Sequence, residues 1–108
     1  MDNEEKFFLD YIQKINNDIK DDIISVGDDF KNFLKSISFN NDFIGFYEKN
    51  TKNAYFFFHV LNPTEFCSII YNAWKLFHEN DNINVKCYYW KLKIKNNKLK
   101  VYFHILSI

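Results

Sequence analysis

The chain contains no arginine; all 14 of its basic residues are lysine. Arginine's planar fork is the side chain best matched to phosphates and base edges, so its absence argues against sequence-specific nucleic-acid binding. An AT-rich coding sequence favours lysine and asparagine codons and would leave the same mark. Only 2 glycines and 1 proline occur in 108 residues. That scarcity excludes long flexible linkers and any glycine-rich loop that cradles phosphates. No apolar run approaches the ~18 residues that a membrane span needs. The opening Met1-Asp2-Asn3-Glu4-Glu5 is acidic where a signal peptide is basic, so a cytoplasmic location is expected.

Two cysteines, Cys67 and Cys87, have no CxxC spacing. In a cytosolic chain they are expected to be reduced thiols, and they do not suggest zinc. The histidines, His59, His78 and His104, have no metal-ligand spacing. GxGxxG, Walker A, HExxH, GxSxG and DxDxDG are all missing. A Cys87–His104 pair lacks an orienting acid and an oxyanion hole. The expectation is a protein that is not an enzyme and needs no cofactor or metal.

What is abundant is aromatic: 13 Phe, 7 Tyr and 2 Trp, or 20% of the chain. A single domain spanning residues 1–108 is expected, large enough to bury about two thirds of its unfolded surface. The formal net charge is zero, yet it is divided. Residues 1–48 hold 11 acids and 5 lysines, a net of −6, and residues 49–108 hold 3 acids and 9 lysines, a net of +6.

Apolar spacing predicts a helix over residues 3–20, with Phe8, Ile12, Ile15 and Ile19 on one stripe. Residues 23–27 read as a last helical turn or a connector. A second helix is predicted over 29–37, capped by Asp28. Residues 42–48 and 54–61 read as a hairpin whose second strand, apolar on both sides, is central. Asn62-Pro63-Thr64-Glu65 is the clearest helix start in the chain, with a cap, a first-turn proline and a glutamate three residues after the cap. That helix runs to about residue 78.

The last element is a hairpin turning at Asn96-Asn97. Its register pairs Lys95 with Lys98 and continues to Tyr89 with His104. One face then holds Tyr88, Trp90, Leu92, Ile94, Leu99, Val101, Phe103 and Ile105. The other holds Lys91, Lys93, Lys95, Lys98 and Lys100 with Tyr89, Tyr102 and His104. The fold expected is α+β: a four-stranded, mostly antiparallel sheet with helices packed on one face, in the order α-α-β-β-α-β-β.

Two surfaces are candidates for binding a partner. The lysine face carries like-charge cross-strand pairs, each costing up to ~1 kcal/mol relative to neutral ones, and suits an acidic partner. The plain alternative is a solvated face whose lysines discourage edge aggregation. Lysine and tyrosine on a sheet also occur in single-strand nucleic-acid binders, but those are basic proteins, with a pI above about 9; here the pI is near 6.8. The second surface is the acidic cluster Asp18, Asp21, Asp22, Asp28 and Asp29, which could mimic phosphates toward a basic protein. The plain alternative is helix capping and solvation.

The function expected is a small cytosolic protein-binding inhibitor, such as a toxin-immunity protein or a phage-encoded anti-defence protein, acting by steric and electrostatic blockade. Its partner is then another protein, a toxin or defence protein, with no role for nucleic acid or membrane. A scaffold or secretion-chaperone-like homodimer and a small ligand-binding domain are the other two readings.

Overall fold

The computed structural model describes residues 3–15, 19, 22–80 and 82–106, with 3, 91–93 and 99–103 described by their backbone. The elements are α1 (Asn3–Ile15), β1 (Ile23–Ser25), α2 (Asp28–Ser36), β2 (Ile44–Glu48), β3 (Ala54–Phe58), α3 (Pro63–Phe77), β4 (Val85–Lys95) and β5 (Lys98–Leu106). The strands form one five-stranded sheet in the order β1-β2-β3-β4-β5. Only β3 and β4 run parallel; the other three pairings are antiparallel.

The expected α+β class holds, but the sheet differs from expectation in three respects. It has a fifth strand, because Ile23–Ser25 extends alongside β2. It is mixed, because α3 carries the chain from β3 across to a parallel β4; a helical crossover is what a parallel pairing requires. And helices pack on both faces. Ala54, Phe56 and Phe58 meet Phe30 and Leu34 of α2 and Phe66, Ile70 and Trp74 of α3 on one side. Tyr55 and Phe57 meet Phe8 and Ile12 of α1 on the other. A strand as apolar as AYFFF needs cover on both faces, and all five of its residues are buried.

Local chemistry explains the elements. At the start of α3 the Asn62 side chain accepts from the Glu65 backbone N–H at 3.4 Å and donates to the Glu65 carboxylate at 2.8 Å, with Pro63 at the first helical position. The first contact satisfies a backbone donor that a helix start leaves unpaired, and the second holds the cap side chain in place. Asp28 is not the cap of α2. Gly27 holds that position, with no side-chain cap bond, and Asp28 and Asp29 lie in the first turn, where the helix dipole favours acids. The predicted first helix ends at Ile15 in the described residues, and Ile19 is not helical.

Gly45 lies opposite Phe56, whose ring rests so close that a Cβ would come within 2.8 Å of it. The Trp74 indole donates to the Lys52 carbonyl at 2.9 Å, tying α3 to the β2–β3 turn. The cysteines are also corrected. Cys67 of α3 and Cys87 of β4 form a disulfide with Cα atoms 5.9 Å apart, inside the larger core cluster.

Candidate functional site

The β4–β5 hairpin keeps the register read from the sequence, from Lys95↔Lys98 to Tyr89↔His104. Asn96 and Asn97 both have positive φ, 53° and 61°, the conformation that a two-residue turn matched to strand twist demands. The position of the hairpin is new. β3 stops pairing with β4 at Phe58↔Tyr89. From residue 90 to the turn, β4 and β5 pair only with each other among the described residues. They form a two-stranded ribbon that projects about 20 Å at the usual rise per residue.

At its root the ribbon is covered on both sides. Tyr88 and Trp90 pack toward α1, while Cys87, Tyr89 and Leu106 pack toward α3. At its tip neither side is covered. Lys95 and Lys98 are exposed directly opposite each other. On the other side Ile94 is 80% exposed, and nearer the root Ile105 is 65% exposed. Among the described residues, the apolar face is therefore an inner face only at the root, where Tyr88 and Trp90 lie against α1, while Ile94 and Ile105 meet solvent.

Of the remaining residues expected on the lysine face, Lys91, Lys93, Lys100 and Tyr102 take their ribbon positions by backbone register. Tyr89 is half-buried and its ring lies parallel to that of His59, with centroids 5.7 Å apart; His104 is exposed, 6.5 Å from Tyr89. His59 sits just past β3 and is exposed, and its Nδ1 lies 2.8 Å from the Trp90 carbonyl. A carbonyl only accepts, so Nδ1 carries the proton and Nε2 is the open acceptor in the neutral ring.

The acidic candidates do not join the lysines. Asp22 is exposed just before β1, and Asp28 and Asp29 are exposed in the first turn of α2. Asp18 and Asp21 lie outside the described residues. β1 and β5 are opposite edges of the sheet, about 19 Å apart at the usual strand spacing.

Two features were not read from the sequence. One is a groove of about 540 Å³ at the end of β3, lined by Glu4, Glu5, Lys31, Asp42, His59 and Trp90, among others. It unites residues far apart in the chain. The other is the disulfide, which the parallel crossover explains. It consumes both thiols, so the Cys87–His104 pair has no nucleophile.

His78 is the C-cap of α3. A helix C-terminus favours a cation, yet burial, and then nearby Lys52, lower its pKa, and its Nε2 is buried with no hydrogen-bond partner among the described residues. Burial pushes the Tyr88 phenol up to about 12, with Tyr11 adding to the shift.

Among the described residues no group of three or more His, Cys, Asp or Glu is placed to hold a metal, and no helix is long and apolar enough to cross a membrane. What the ribbon offers is charge, exposed apolar surface and open backbone, the means of binding. Comparison with protein-family models, curated proteins and solved structures finds no match for this chain.

Proposed function

We propose that this protein binds and blocks another protein, in the manner of a toxin-immunity or anti-defence inhibitor, and that the β4–β5 ribbon is its binding element. The observation that carries this reading is the projecting ribbon, with Lys95 and Lys98 exposed on one side and Ile94 on the other. An exposed apolar residue beside like charges is costly for the isolated protein and useful against an acidic, partly apolar partner. The blockade is steric and electrostatic rather than catalytic.

The acidic surface is the weaker candidate, because Asp28 and Asp29 already serve the α2 dipole. The cytosol remains the proposed compartment. The buried disulfide pulls against it, since such bonds are rare there.

The test is affinity capture from the native host with the wild-type chain and with a Lys95→Glu/Lys98→Glu variant. One dominant partner, recovered stoichiometrically by the wild type and depleted about tenfold or more by the variant, supports the reading. Equal recovery by both removes the ribbon from the interface. Recovery of the chain alone, sized as a dimer, favours a scaffold.

A further inference from the structure

We propose that the open edge of β5 receives an extended acidic segment of the partner as a sixth strand. This inference rests on the protein-binding reading above and adds the partner's chemistry and its mode of docking. β5 is the last strand of the sheet and is nine residues long. In an antiparallel edge strand, alternate residues direct N–H and C=O away from the sheet. Strand addition uses those groups for affinity and the side chains for selection. The other edge, β1, has three residues and offers little.

Three observations point to an acidic strand. First, among the described residues the ribbon beyond residue 90 has two strands and no third. Two-stranded ribbons are marginal in water, and a third strand is what stabilises them. Second, the register sets Lys95 against Lys98 and Lys93 against Lys100. No acid of β4 or β5 offsets these like charges, because neither strand contains one. Carboxylates on an added strand, on the same face, would stand directly opposite or diagonal to Lys98 and Lys100 of β5. Third, the opposite side exposes Ile105 at the edge and Ile94 at the tip. The alternate residues of an added strand would lie there and should be apolar.

The fitting partner is therefore a segment alternating Asp or Glu with Val, Ile or Leu. A second copy of this chain fits less well. Pairing β5 with β5 would double the lysines on one face. Edge lysines ordinarily deter indiscriminate strand pairing; here the same charges would select the one kind of strand that neutralises them.

The probe is a short acetylated peptide of alternating glutamate and valine, titrated into the full chain at low salt. Controls are the same peptide with every amide N-methylated and a lysine–valine peptide. Hydrogen exchange of the β5 amides is followed alongside. Expected are saturable binding of the acidic peptide and slowed exchange along β5. Affinity should fall about tenfold or more on N-methylation and likewise in Lys95→Glu/Lys98→Glu, because backbone pairing and charge both contribute. Equal binding of the N-methylated peptide would overturn strand addition while leaving a charge-based ribbon contact standing. No peptide binding, with partner capture still dependent on the lysines, would overturn the inference alone. Protection of β5 that grows with protein concentration in the absence of peptide would assign the edge to a second copy and overturn it too.

Discussion

Tyr88 and His78 are both ionisable groups held in their neutral forms by burial, and each limits stability on one side of neutral pH. Tyr88 stacks on Phe57 with ring centroids 4.8 Å apart and meets the edge of the Tyr11 ring. An unfolded tyrosine loses its proton near 10.0, whereas folded Tyr88 holds it to about 12. Between those values the unfolded chain binds fewer protons, so stability falls as pH rises. The sign is opposite for His78. The unfolded imidazole takes up a proton near 6.5 and the folded one resists it. Stability present above 6.5 is therefore lost as pH falls below that value. Urea titrations across pH should show both limbs. Tyr88→Phe should flatten the alkaline limb and leave the acid one, and His78→Gln should do the reverse. Unchanged alkaline slope in Tyr88→Phe would show that another group controls it.

At the scale of elements, what was legible depended on whether the signal was local. The Asn62 cap, the β2–β3 hairpin and the β4–β5 register all rest on neighbours in sequence, and each is present. β1 is three residues long, too short for any alternation to show, and its pairing with β2 is set by the sheet. The parallel β3–β4 pairing depends on where α3 deposits the chain, which no period encodes. The one-sided helix layer was the simplest assembly for the element order, and it failed because α1 packs on the side of β3 opposite α2 and α3. The disulfide was hidden for the same reason, since Cys67 and Cys87 meet only through the crossover. It closes a 20-residue separation between α3 and β4, and removing such a bond typically costs about 2–4 kcal/mol. Cys67→Ala/Cys87→Ala should lose stability on that scale in urea, and the wild-type chain, denatured without reductant, should show no free thiol. Two free thiols per chain would mean that the pair is merely adjacent.

For the whole molecule, the division of charge was legible and its placement was not. Asp22, Asp28 and Asp29 lie toward the β1 edge and Lys95 and Lys98 on a ribbon beyond β3, so these two exposed charge groups stand toward opposite edges of one sheet. The two core clusters contain Tyr88, Tyr89, Trp90 and Leu106 from the ribbon's root, while every described residue from Ile94 to Lys98 is exposed. Folding and binding are therefore separable along one hairpin. Deleting Ile94, Lys95, Lys98 and Leu99 joins Lys93 to Lys100 through the same Asn-Asn turn. The deletion removes two cross-strand pairs and leaves the remaining register and both faces intact. Cross-strand pairs contribute about 1 kcal/mol or less each, and a like-charge pair is unfavourable, so the shortened protein should unfold within about 1 kcal/mol of the wild type. Partner binding should fall steeply, because the exposed lysine pair and Ile94 are gone. Thermal unfolding and partner capture on the same preparation decide it. A shortened chain that keeps its partner would place the interface at the root of the ribbon or on the acidic side, and one that fails to fold would make the tip part of the core.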